Sequence, residues 1–136
     1  CPVFQVVAYK EGQYFKAHHD AGVLLSDDEV DEESGCEGGR IELGDPRRLV
    51  TFFVYLNTLP KGQGATAFPR LGIEVIPKAR KALVFCNLRE DGEAEPLVVH
   101  SAQPVDFPHQ KYGLNLWSVG RSTTTTQQDT CLVPTD

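Results

Sequence analysis

Short apolar stretches bounded by turn residues recur along the whole chain, and their alternation has a period of two rather than 3.6. Val3 to Tyr9 is rich in β-formers and ends at a turn over Glu11-Gly12, after which a short run extends from Tyr14 to Asp20. Arg48 to Asn57 reads RLVTFFVYLN, apolar at both alternating sets of positions, which predicts a central strand buried on both faces. A turn over Leu59 to Gly64 is followed by predicted strands at Ala65 to Phe68, Gly72 to Ile76 and Lys81 to Leu88. After the Asp91-Gly92 turn come Leu97 to His100, Pro104 to Phe107 and Tyr112 to Val119. Eight or nine short strands at this spacing, with no sustained helical period, predict an all-β sandwich or barrel with minor helix.

Two segments fall outside that rhythm. Residues 27 to 37 hold seven acids, and with Gly38-Gly39 they read as a solvated acidic loop over 27–39. The polar run from Ser122 onward reads as a fraying tail, so the expected organisation is one domain over 1–121 and a tail over 122–136. The chain begins inside a predicted strand, as a fragment lacking N-terminal elements would.

Composition narrows the function classes. Lysine and arginine total 13 against 19 acids in 136 residues, a formal net charge of −6, which argues against nucleic acid as a main partner. The apolar runs, such as Leu49 to Leu56 and Ala82 to Cys86, are too short to span a bilayer as a helix. None of the four cysteines forms a CxxC pair. Cys86 reads as a buried thiol, while Cys1, Cys36 and Cys131 are open to disulfide pairing.

Chemistry concentrates at few positions. In Tyr14 to Asp20 (YFKAHHD), strand alternation puts His18 and Asp20 on one face and turns His19 away. An imidazole and a carboxylate side by side offer two ligands to a divalent metal; a further imidazole completes a facial triad with open positions. An ordinary surface His–Asp pair has the same spacing. Of the two remaining histidines, His100 follows the apolar Leu97-Val98-Val99, where a third ligand and a backbone-bonded core histidine both fit. Lys111 opens the last strand, with Gly113, Asn115 and Trp117 on its face. Pointing inward it needs an anionic partner such as a dicarboxylate; at a strand end it can instead snorkel to solvent.

Together these residues resemble the 2-oxoglutarate- and Fe(II)-dependent dioxygenases of prolyl 4-hydroxylase type. The similarity runs from about Val6 to Trp117 in five ordered pieces: VVAYKEGQYFKAHHD, RLVTFFVYLN, GQGATAFP, IPKARKALVFCNL and HSAQPVDFPHQKYGLNLW. The resemblance implies a double-stranded β-helix (jelly-roll, cupin-like) barrel. It implies that His18, Asp20 and His100 ligate Fe(II), and that Lys111 pairs with the distal carboxylate of 2-oxoglutarate. It also implies that Tyr55 helps hold that carboxylate, that Tyr9 lies near the cosubstrate or substrate pocket, and that Arg48 and Trp117 contact the peptide. Thr66 and Phe68 match structural positions. The implied activity is hydroxylation of peptidyl proline, with O2 consumed, succinate and CO2 released, and ascorbate as reductant. A relative acting on another side chain or a free amino acid, and a non-catalytic metal-binding jelly-roll module, are the alternatives. Neither compartment (secretory lumen or cytoplasm) nor oligomeric state follows from the residues.

Two departures stand out. The family usually has ten residues from the distal histidine to the basic residue, and here His100 to Lys111 is eleven. A bulge between Pro104 and Gln110, at Pro108, would restore the register; otherwise His109 would take the carboxylate. Tyr112 also replaces a tryptophan usual in the family.

Overall fold

The computed structural model describes residues 4–25, 40–45 and 48–120. Ten strands and two three-residue 3-10 turns make up its regular structure: β1 (Phe4–Tyr9), β2 (Phe15–His18), β3 (Gly22–Leu25), β4 (Arg40–Leu43), β5 (Arg48–Tyr55), β6 (Thr66–Phe68), β7 (Ile73–Val75), β8 (Ala82–Cys86), β9 (His100–Ala102) and β10 (Lys111–Val119). The all-β expectation holds. The acidic loop, the tail, and any pairing of Cys1, Cys36 and Cys131 lie outside the described residues.

The strands form two four-stranded antiparallel sheets, ordered β1-β10-β5-β8 and β2-β9-β6-β7, and a β3-β4 hairpin. Non-consecutive neighbours in both sheets are the signature of a double-stranded β-helix. Among the described residues no ladder joins the sheets edge to edge, so the expected barrel is an open sandwich rather than a closed cylinder.

The sheets bury a core between them, by alternation on β5 and along the whole of the short central strand β6. On β5, Thr51 and Tyr55 are buried, and on β6 all three residues are. Phe68 of one sheet meets Phe85 of the other edge to face at 5.4 Å. The opposite set of β5 residues behaves differently. Phe52 is exposed and Val50 and Val54 half-buried, so the strand is covered on one face and not on both, a correction to its sequence reading. Apolarity of the outer face, not burial, is what the run RLVTFFVYLN recorded.

Further differences are local. Leu97 to His100 is a 3-10 turn over Pro96–Val98 that leads into β9, so His100 begins a strand instead of ending one. Proline at the first position of that turn removes a backbone donor and favours the tighter helix over a strand. Pro104 to Phe107 is irregular, and the 103–110 segment turns at Phe107-Pro108, which is a cis peptide. The extra residue before Lys111 is absorbed in that loop, not in a strand bulge. Cys86 is half-buried and disulfide-bonded, which corrects its reading as a buried thiol.

Candidate active site

A cavity of about 490 Å³ lies between the two sheets, and residues from both line it. Its contents follow from the register. β10 contributes Lys111, Asn115 and Trp117 from one alternating set, and β5 contributes Thr51 and Phe53. Across from them, β2 and β9 pair His18 with His100, bringing together two histidines distant in sequence.

At one end His18, Asp20 and His100 converge. Their ligand-capable atoms all lie within 4.8 Å of one another. Asp20 Oδ1 is 3.3 Å from His18 Nε2 and 3.7 Å from His100 Nε2. Each imidazole is oriented from behind: His18 Nδ1 sits 2.8 Å from the Lys16 carbonyl and His100 Nδ1 2.9 Å from the Val98 carbonyl. A carbonyl only accepts, so each Nδ1 carries a proton, and each Nε2 faces Asp20, with a lone pair to offer a metal whenever its ring is neutral. Burial pulls the His100 pKa down to about 4, against the opposing field of Asp20, so the ring is neutral at pH 7. Burial also pushes Asp20 upward, but the His18 bond and the charge of His100, both present when those rings are protonated, together with the Thr51 hydroxyl outweigh it and hold the carboxyl below its usual range. Two imidazole lone pairs and one carboxylate oxygen facing a common point repel unless a cation sits among them. That donor set fits Fe(II) with three positions left open.

At the other end Lys111 is 1% exposed, yet no carboxylate among the described residues pairs with it. Its ammonium has a long contact with Thr66 Oγ1 at 3.5 Å, and the rings of Tyr9, Phe53 and Tyr55 lie 5.4 to 5.6 Å away. Burial draws its pKa down to about 8. The aliphatic stem packs against Gly64: a Cβ there would lie 3.1 Å from Lys111 Cδ, and the residue's φ of 57° favours glycine as well. A buried, aromatic-walled ammonium with no counter-charge among the described residues is an environment suited to an anion.

The other expected residues take varied places. Tyr9 lines the cavity beside Lys111. Tyr55 is fully buried behind the wall; its hydroxyl donates to Thr66 Oγ1 at 2.7 Å and approaches the Val75 carbonyl at 3.3 Å, so it meets the cavity through Thr66. Burial raises its pKa to about 12. Thr66, a structural position on sequence, therefore lines the cavity next to Lys111. Phe68 packs on His100. Arg48 and Trp117 stack at 4.5 Å on the metal-ligand side, where Arg48 Nη1 donates to the Asp20 carbonyl and Trp117 Nε1 to Asp20 Oδ2. His109 is half-buried, lies outside the cavity lining, and donates its backbone N–H to Asp106. His19 points away from the triad, with its ring between the Glu95 carbonyl and the Ala21 N–H.

Two residues at the site had escaped the sequence reading, Thr51, buried against Asp20, and Asn87, buried behind Thr51. Thr51 had a signal, a lone hydroxyl on the inner face of an otherwise apolar strand. Asn87 had none beyond following β8.

The sequence profile of the 2OG-Fe(II) oxygenase superfamily matches residues 4–119. The chain belongs to that superfamily. It is 34% identical over 113 residues to the chicken prolyl 4-hydroxylase subunit alpha-1, covering 83% of this chain and 20% of the relative. It is also 34% identical over 114 residues to a putative prolyl 4-hydroxylase of Acanthamoeba polyphaga mimivirus, covering 83% and 43%. This superfamily domain thus spans less than half the length of either relative. Its fold superposes on the viral collagen prolyl hydroxylase of Paramecium Bursaria Chlorella virus-1 in its 2OG complex with a TM-score of 0.65, at 27% identity, over 90% of this chain and 62% of that one. Membership in the superfamily implies Fe(II) and 2-oxoglutarate, and the two ends of the cavity present one site suited to each.

Proposed function

We propose that the chain is the catalytic domain of an Fe(II)- and 2-oxoglutarate-dependent dioxygenase that hydroxylates peptidyl proline. The domain spans 1–121, with 122–136 as a tail. The observation that carries the reading is that one cavity holds a metal-capable His-Asp-His set at one end and, at the other, a buried lysine with no carboxylate partner among the described residues. Fe(II) with 2-oxoglutarate supplies the oxidising chemistry, consuming O2, releasing succinate and CO2, and leaving one oxygen atom on the substrate. His18, Asp20 and His100 hold the metal. Lys111 neutralises the distal carboxylate of the cosubstrate, and the Thr66 hydroxyl, which accepts from Tyr55, has its own proton to offer the same carboxylate. Tyr9 and Phe53 wall that end and exclude water, which strengthens the ion pair.

The resemblance to prolyl 4-hydroxylases in animal and viral relatives supports proline-containing peptides as substrates. Arg48 and Trp117, stacked on the metal side of the cavity, are the residues that a peptide reaching the metal would meet. Ascorbate would serve as the reductant. The test is succinate formation from 2-oxoglutarate with Fe(II) and ascorbate, with and without proline-rich peptides, together with the mass of the recovered peptide. Succinate that rises with peptide, and a peptide heavier by one oxygen on proline, are the expected results. Succinate indifferent to every prolyl peptide would overturn the substrate class, and no succinate from metal-loaded protein would overturn the activity.

A further inference from the structure

We propose that Thr51, Asn87 and Trp117 form a unit that fixes the Asp20 carboxylate so that Oδ1 alone faces the metal position. The inference rests on Asp20 being a ligand, as read above. Two donors converge on the other oxygen: Thr51 Oγ1 lies 2.6 Å from Asp20 Oδ2, and Trp117 Nε1 lies 3.3 Å from it. The direction of the first bond is set from further back. The Asn87 amide nitrogen gives one hydrogen to the Arg48 carbonyl at 3.1 Å and the other to Thr51 Oγ1 at 2.9 Å. Reversing the amide would set its oxygen against that carbonyl, two acceptors face to face, so the backbone decides which atom is nitrogen. Thr51 Oγ1 therefore receives a hydrogen from Asn87 and directs its own proton to Asp20.

The arrangement is retained at a cost. Asn87 is fully buried, and its Oδ1 has no hydrogen-bond partner among the described residues. A buried orphan acceptor is destabilising, and a smaller apolar residue would avoid it. What the amide contributes in exchange is the orientation of Thr51, itself 1% exposed. With both donors on Oδ2, the carboxylate is held from rotating and from chelating through both oxygens. One ligand atom per residue would then leave room at a bound metal for cosubstrate. Thr51, Asn87 and Trp117 are positioning residues, acting through Asp20.

The experiment is Co(II) titration of the intact protein without cosubstrate, reading both the dissociation constant and the d–d absorption band. Thr51→Val is expected to weaken Co(II) binding by roughly tenfold to a hundredfold and to shift the band, and Thr51→Ser to restore both. Trp117→Phe keeps a ring under Arg48 but removes the N–H, and is expected to weaken binding by a smaller factor with a band shift of its own. If Thr51→Val fails to fold, Trp117→Phe decides alone. Asp20→Ala separates the two readings. If it abolishes Co(II) binding while Thr51→Val and Trp117→Phe match the parent in affinity and band, the positioning inference is wrong and the ligand reading stands. If Asp20→Ala binds Co(II) like the parent, the ligand reading falls and this inference falls with it. A Thr51→Ser variant as weak as Thr51→Val would overturn the hydrogen-bond role in favour of methyl packing.

Discussion

Lys111 is charged at neutral pH while walled by three aromatic rings, and burial draws its pKa from the ordinary 10.5 down to about 8. A lysine whose folded pKa is lowered destabilises the fold wherever the folded form must stay protonated. Below pH 8 both states carry the proton and the full penalty applies, about 3 kcal/mol at 1.36 kcal/mol per unit. Between about 8 and 10.5 the unfolded chain binds more protons, so this group makes stability rise with pH. Lys111→Met should therefore raise the melting temperature at pH 7 without cosubstrate, while abolishing the stabilisation that 2-oxoglutarate gives the parent. Thermal melts with and without the keto acid measure both, and a destabilised, keto-acid-responsive Lys111→Met would refute the assignment. The same pKa predicts that the apparent KM for 2-oxoglutarate climbs above pH 8 as the ammonium loses its proton. His100 calls for the opposite kind of variant: His100→Ala removes a ligand from a ring already neutral, so metal binding should vanish while circular dichroism keeps its β signature.

At the scale of elements, β10 supplies the cavity's length and β5 its floor, and one glycine makes their contact possible. Phe53 lies across Gly113, where a Cβ would come within 2.2 Å of its ring. Gly113→Ala must push that ring toward Lys111 or shift the strand, so a loss of about 1–3 kcal/mol is expected, with weaker 2-oxoglutarate binding. A denaturant melt and a keto-acid titration check it; unchanged values would mean that the ring has another place to go. The legibility of these elements differs for physical reasons. Alternation from Lys111 through Gly113 and Asn115 to Trp117 is visible in sequence because a strand has one period and one inner face. The His18–Asp20 spacing is readable on the same ground, although Asp20 lies in the turn just past β2. The β3-β4 hairpin was not foreseen, since its strands are four residues each and separated by the acidic run. Thr66 and Asn87 gain meaning only from partners on other strands, Lys111 and Thr51, and single-strand periodicity carries no information about such contacts.

For the molecule as a whole, the two faces of the larger sheet have opposite characters. The inner face carries the polar and aromatic groups of the cavity. The outer face takes Phe4 and Val6 from β1, Leu114 and Leu116 from β10, Phe52 from β5 and Val84 from β8, paired across the sheet without a charge among them. Phe4, Val6 and Val84 are each more than half exposed. An apolar surface continuous over four strands favours association in water. The 136-residue chain alone is therefore expected to bind an apolar dye and to scatter light increasingly with concentration. Val6→Thr with Val84→Lys should reduce both effects. Because these side chains point away from the cavity, the pair should leave Co(II) affinity and 2-oxoglutarate binding within about twofold of the parent, with stability changed by less than about 1 kcal/mol. A loss of several kcal/mol in the double variant would show that this face is packed in solution, and the sheet would then owe its stability to both sides.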